Sequence, residues 1–180
     1  MFSAIIRPGV ELRLLEERHA PALFARVNRE REYLRQWMPW VDVTRTEEDI
    51  LAFIRRMLDT FASNQGFSAG IWVDGTIGGV ITLHKIDWVN RKGEIGYWLG
   101  QEFQGRGIMT DATRAVTDHA LVELQLNRVE ILCAASNDKS RAIPKRLGFS
   151  LEGVLRQVHF LNESHHDVEL YSMLRHEYRR

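Results

Sequence analysis

The sequence predicts an α/β fold in which helices and strands alternate without a break, and three observations predict it. Asp74-Gly75 lies between two apolar-rich runs, a strong two-residue hairpin signal. Ile108, Ala112, Ala115, Val116, Ala120 and Leu124 recur at helical spacing. Residues 129–134 are nearly all apolar, as expected of a strand buried on both faces.

Taken in order, residues 10–15 read as a first strand and residues 16–31 as a helix with Leu23, Phe24 and Val27 on one side. Pro39 then stops any helix and pushes Met38 toward an extended conformation. Thr46 to Asp49 has the form of a capping box, with Asp in place of the usual Glu or Gln. The apolar positions Ile50, Phe53, Ile54, Met57, Leu58 and Phe61 follow it at helical spacing. Strands are predicted over 67–73, 76–86 and 91–99, a helix over 108–124 and a strand over 129–134; the last three make a βαβ unit. A short helix over 140–147 ends at Gly148, a good C-cap residue. Two last strands, near 151–161 and 168–174, flank the polar turn Asn-Glu-Ser-His-His-Asp.

The chain has 180 residues, enough for one domain with a sizeable core, and no linker or repeat divides it, so 1–180 reads as one domain. Lys and Arg number 24, as do Asp and Glu, so no net charge draws the chain toward nucleic acid or an anionic membrane. Cys133 is the one cysteine, which rules out an internal disulfide and fits a reducing cytoplasm. The N-terminal residues lack the basic region and long apolar core of a signal peptide, and no apolar run is long enough to span a bilayer.

The stretch Gln104-Gly105-Arg106-Gly107-Ile108-Met109-Thr110 places two glycines where a helix begins. A helix start leaves backbone N–H groups without partners and carries a partial positive charge. Glycines there let a ligand approach the backbone closely, which makes a phosphate cradle, with Arg106 adding a contact or standing in solvent. A Walker-type loop is excluded because no Gly-Lys-Ser/Thr follows. A dinucleotide fingerprint is excluded because Thr110 stands where its third glycine belongs. Asn137 and Ser140 open the next helix, beside anything held between the two strand–helix units.

These blocks carry a resemblance. Gln-Gly-Arg-Gly-Ile-Met resembles the pyrophosphate-cradling signature of the GNAT N-acetyltransferases, and Asn137, Ser140 and Leu-Gly-Phe 147–149 resemble that superfamily's next motif. Together with Gly-Glu-Ile-Gly-Tyr-Trp-Leu-Gly 93–100, Tyr-Leu-Arg-Gln-Trp-Met-Pro-Trp 33–40 and the tail from Gly148, they are similar to the RimJ/RimL-type branch, which acetylates ribosomal-protein N-termini. The resemblance covers essentially the whole chain. It implies a mixed, mostly antiparallel central sheet, splayed where two parallel strands diverge, with helices on both faces. It also implies acetyl-CoA as cosubstrate, no metal, and a protein N-terminus as acceptor, ribosomal by the branch. A small amine such as a polyamine or antibiotic is the rival acceptor; a non-catalytic acyl-CoA-binding sensor is the rival of another class. Direct nucleic-acid or membrane binding is not implied, and a homodimer is compatible.

Two positions depart from the signature. Met109 stands where a small residue closes it, and Pro144 stands where many members carry a thiolate-protonating tyrosine.

The resemblance assigns the coenzyme to Gln104, Gly105, Arg106, Gly107, Ile108, Met109 and Asn137, and a backbone N–H of Leu99 or Trp98 to the oxyanion. Lys145 and Arg146 either reach the coenzyme's 3′-phosphate or form a solvated helix face. Ser140 is the candidate acid for the departing thiolate, and also an ordinary helix-start residue. His159 and Glu94 are the two candidate bases; a histidine's ordinary titration suits work near neutrality, and Glu94 would act through water. The alternative for His159 is a packing or surface residue, and for Glu94 a pair with a nearby Arg or Lys. Trp37, Met38 and Trp40 either wall an acceptor groove or close the core under a loop. His165 and His166 read as a solvated turn, and Cys133 as a core residue.

Overall fold

The computed structural model describes residues 3–179. Its centre is one eight-stranded sheet in the order β1-β2-β3-β4-β5-β6-β8-β7. In chain order the strands are β1 (Ser3–Arg7), β2 (Val10–Leu14), β3 (Phe67–Val73), β4 (Thr76–Asp87), β5 (Lys92–Leu99), β6 (Arg128–Ala134), β7 (Ser150–Leu161) and β8 (Ser164–Leu174). The helices are α1 (Ala20–Arg29), α2 (Arg31–Leu34), α3 (Glu47–Ala62), α4 (Ile108–Asp118) and α5 (Asp138–Arg146). Every neighbouring pair runs antiparallel except β5 and β6, the two ends of the βαβ unit.

Helices cover both faces because both faces of the central strands are apolar. Ile108, Ala112 and Val116 of α4 pack on Ile81, Leu83, Ile95 and Ile131. Leu23 and Val27 of α1 and Ile50 and Ile54 of α3 pack with Trp72, Ile77 and Val80 on the other face. The capping box on α3 forms as predicted: Asp49 N–H donates to Thr46 Oγ1, and Asp49 accepts from Thr46 N–H. Asp74 and Gly75 both take positive φ, 48° and 79°, as a tight hairpin of this twist requires.

Four boundaries differ from the sequence prediction. A first strand, β1, precedes the predicted one and pairs with β2 across Pro8-Gly9, whose glycine has φ 75°. The predicted helix over 16–31 is a 3₁₀ turn (Glu17–His19), then α1, then a break at Glu30 before α2. The helix predicted to run to 124 changes at His119 into a wider π turn that keeps Ala120 and Leu121 buried. The polar turn before β8 shrinks to Asn162-Glu163, both at positive φ, so β8 begins at Ser164 and takes in both neighbouring histidines. His165 lies against Phe160, and His166 meets Ser164 Oγ at 2.9 Å.

The sheet opens in one place. β5 and β6 pair only from Lys92↔Arg128 to Glu94↔Glu130. Past that point β5 runs on to Leu99 beside β4, and β6 runs on to Ala134 beside β8. The two strands therefore diverge, leaving a gap lined by unpaired backbone.

Candidate active site

The gap and the glycine loop face each other. Gly105 and Gly107 have φ values of 71° and 75°, a region that L side chains rarely adopt. Gly107 is the N-cap of α4 and supplies no side-chain cap, so the amides of the first turn stay available. A side chain grown on Gly105 meets nothing within 4 Å, so the loop's outer surface is bare. Met109 is 7% exposed and packs in the core, so it leaves the loop clear in spite of its bulk.

Backbone alternation sorts the oxyanion candidates. Gly100 N–H donates to Gly78 O on β4. Residues of the same parity, Trp98 among them, therefore turn their polar groups toward β4, while Tyr97 and Leu99 turn theirs into the gap. Of the two expected donors, the geometry favours Leu99. Its carbonyl is held by Gln104 Nε2 at 3.0 Å, and Lys139 Nζ lies 2.9 Å from Gln104 Oε1.

Two cavities flank this point. One, of about 990 Å³, is lined by Gln104, Gly105, Gly107, Ile108, Met109 and three cations, Arg7, Lys139 and Arg146. Arg7 is anchored on Asp111 at 3.0 Å and Arg146 on Thr110 Oγ1 at 2.7 Å. The other, of about 850 Å³, is lined by Trp40, Phe53, His84, Glu94, Gly96 and His159 among others. Trp37, Met38, Tyr97, Trp98, Asn137 and Ser140 line both. The first has the bare amides and cations for a phosphorylated ligand, and the second is largely apolar. A group transferred between their occupants must pass the shared six residues.

The α5 entry is built around Asn137. Its Oδ1 accepts the Ser140 N–H at 3.0 Å, so Asn137 is the cap and the Ser140 side chain is not needed for capping. The Ser140 hydroxyl instead donates to Cys133 Sγ at 3.2 Å. Burial raises the Cys133 thiol above its usual range. Tyr97 donates to the Ser140 carbonyl at 3.1 Å, and burial together with Cys133 raises its phenol well above the ordinary value. Pro144 is buried inside α5 and lines neither cavity.

The remaining predicted residues divide. Trp37 and Met38 line both cavities, and Trp40 lines the apolar one, its ring 6.2 Å from that of Trp98. His159, on β7, reaches the apolar cavity. Glu94 reaches it as well, but its carboxylate is engaged: Lys85 Nζ is 2.9 Å away and His84 Nε2 3.3 Å. Burial opposes its charge, yet the hydrogen bonds from His84 and Lys85 outweigh burial and hold it down at about 2. Lys145 and Arg106 do not line the phosphate-side cavity; both stand exposed, and Arg146, Lys139 and Arg7 supply its positive charge. Lys145 lies near Glu169 instead.

Arg7, Lys139 and His84 were not legible as site residues. Arg7 and His84 come from strands remote in sequence from the glycine loop, and nothing local marks Lys139. Among the described residues no group of three potential ligands could hold a metal ion, and no helix is long and apolar enough to cross a membrane.

A sheet split between parallel strands, with a bare helix N-terminus on one side of the split and an apolar pocket on the other, defines an enzyme that brings a phosphorylated carrier against a second substrate. The chain belongs to the GNAT acetyltransferases: the family model described as an acetyltransferase (GNAT) domain matches residues 10–150. It is 39% identical over 182 aligned residues, 99% of this chain and 98% of the other, to a Bacillus subtilis (strain 168) protein named “Putative ribosomal N-acetyltransferase YdaF”. It is 30% identical to the ribosomal-protein-serine acetyltransferase of Escherichia coli (strain K12), over 94% of each chain. Among solved structures it superposes with TM-score 0.93 and 28% identity on RimL, a ribosomal L7/L12 alpha-N-protein acetyltransferase in complex with coenzyme A, over 96% of this chain and 98% of that one.

Proposed function

We propose that this acetyltransferase moves the acetyl group of acetyl-CoA onto the N-terminal α-amine of a ribosomal protein. One observation carries the reading: the phosphate-side and apolar cavities meet at Trp37, Met38, Tyr97, Trp98, Asn137 and Ser140. The names of the near-full-length relatives point to ribosomal proteins, and the coenzyme in the RimL structure points to the donor.

The residues present fit that donor. Bound there, acetyl-CoA supplies an activated thioester. Gly105, Gly107 and the first amides of α4 would hold its diphosphate, with Arg7, Lys139 and Arg146 as the cations in reach. Leu99 N–H would face the oxygen that becomes negative, and the Ser140 hydroxyl would stand ready with a proton for the departing sulfur.

The acceptor cavity favours a peptide over a polyamine. Its acidic lining residues are Asp49 and Glu94. Asp49 is used by the α3 cap and Glu94 by Lys85 and His84, so neither offers a free carboxylate to a polycation. Trp37, Met38 and Trp40 instead offer apolar surface to a chain terminus. An α-amine with an ordinary pKa of 7.7–8.0 also costs about 3 to 4 kcal/mol less to deprotonate than a lysine.

Mass spectrometry of ribosomal proteins from cells with and without the gene tests the proposal. One ribosomal N-terminus should lose its acetyl mark in the deletion strain. Unchanged N-termini, with the pure enzyme acetylating polyamines faster than N-terminal peptides, would replace this reading by the small-amine one. Tight acetyl-CoA binding with no transfer to any amine would select a sensor.

A further inference from the structure

We propose that His84 is the general base that takes the proton from the acceptor amine, with Glu94 as its fixed counter-ion. The inference needs only amine acetylation and does not depend on which amine is accepted.

Five features converge on His84. It lines the acceptor cavity and its side chain is 32% exposed, so an amine can reach it. It stands on β4 directly opposite Glu94 on β5, with Nε2 3.3 Å from Glu94 Oε1. The ladder runs on through Thr82↔Gly96 and Val80↔Trp98 to the wall the two cavities share. Gly96 carries no side chain, and a Cβ there would lie 3.3 Å from His84 Nε2, so the glycine leaves room for the imidazole.

The fifth feature is the backbone. Lys85 has φ 54°, and the β4–β5 register shifts just after His84. In a regular strand His84 and Lys85 would point to opposite faces. At this irregularity both reach the same carboxylate, His84 through one oxygen and Lys85 through the other. Left-handed backbone at a non-glycine residue is costly, and such strain and bulges concentrate where a functional side chain is re-aimed.

The arrangement also sets the division of labour. Glu94, paired twice, is a weak base but a firm counter-ion. With the His84 Nε2–H directed at Glu94, Nδ1 is the nitrogen left to accept a proton. The acceptor enters as an ammonium and gives one proton to that nitrogen, making imidazolium. The freed lone pair forms the C–N bond to the acetyl carbon as the C–S bond breaks. The second proton of the attacking nitrogen leaves with the sulfur, through Ser140 or water, and His84 returns its proton to solvent. The other charged or titratable groups lining this cavity are Asp49 and Arg56 of α3, Tyr97 of β5, Cys133 of β6 and His159 of β7.

The test is the pH dependence of turnover in His84→Gln, Glu94→Gln and Lys85→Met, run on whichever amine of a panel of N-terminal peptides and polyamines reacts fastest. His84→Gln should bind acetyl-CoA as the parent does, by calorimetry, which also reports that it folds. It should lose roughly 100-fold or more in kcat at neutral pH. The loss should shrink as pH nears the amine's own pKa, where the neutral amine needs no base. Lys85→Met should move the acidic limb of the profile to higher pH and Glu94→Gln to lower pH, since each removes one sign of charge beside the imidazole. Parental rates in His84→Gln, or a loss equal at every pH, would overturn the proposal. A panel in which polyamines outrun peptides would sink the acceptor reading and leave this one standing.

Discussion

At the residue scale, the proposed chemistry rests on side chains released from structural duty. Asn137 caps α5, which leaves the Ser140 hydroxyl free to rest on Cys133 at 3.2 Å beside the shared wall. If that hydroxyl protonates the departing sulfur, Ser140→Ala should lower kcat about tenfold or more and leave acetyl-CoA affinity unchanged. Stopped-time assays paired with calorimetry check this; equal turnover in the variant would discard the acid role. Ser140 was readable from its place in the motif, whereas its partner was not, because Cys133 looks like any core residue until the fold brings α5 over β6. Glu94 was readable from strand alternation. Pairing with a nearby Lys or Arg was an open alternative, but Lys85 was not identifiable as the partner, since alternation puts Lys85 on the opposite face and only the local irregularity brings it back.

At the element scale, the decisive piece is the start of α4. Gly107 holds φ 75° as the N-cap, and Arg7 lies 3.7 Å from where its Cβ would be. A branched residue there meets both backbone strain and the cation that flanks the loop. Gly107→Val should weaken acetyl-CoA binding at least tenfold by calorimetry while the fold, monitored by circular dichroism, is retained. The element was plain in the sequence because two glycines before an apolar helical stripe form a local signal. The length of the helix was less plain: a π turn keeps Ala120 and Leu121 buried, so the apolar spacing continues past the point where the α-helix ends.

At the scale of the whole molecule, a buried ion pair ties α1 to the turn that leads into the glycine loop. Arg26 and Glu30 of the α1 region are each about 5% exposed and lie 3.6 Å apart. Arg26 Nε donates to Ile77 O at 2.9 Å, Gln101 N–H donates to Glu30 at 3.1 Å, and Arg26 also pairs with Glu102. Gly100 is fitted to this clamp, since a Cβ on it would lie 2.9 Å from Glu30 Oε1. Glu30→Ala removes one of the two carboxylates on Arg26, leaving Glu102 as the other, and frees the turn that leads into the glycine loop. It should cost about 2 kcal/mol of stability, or a fall in Tm of roughly 4–8 °C for a chain of this size, and should weaken acetyl-CoA binding as well. Thermal unfolding read beside calorimetry checks both effects.

The sequence by itself determined most of the strands and helices, the two-glycine loop that opens α4, and the family, because each is written in local pattern: period-two and period-3.6 apolarity, Asp-Gly at a turn, glycines before a helix. The tertiary structure decided which residues meet. The gap between β5 and β6, the inward turn of Leu99 rather than Trp98, the cations Arg7 and Lys139, and the His84–Glu94–Lys85 cluster arise from strand order, register and one irregularity. Those are relations between segments far apart in the chain, and no local spacing encodes them.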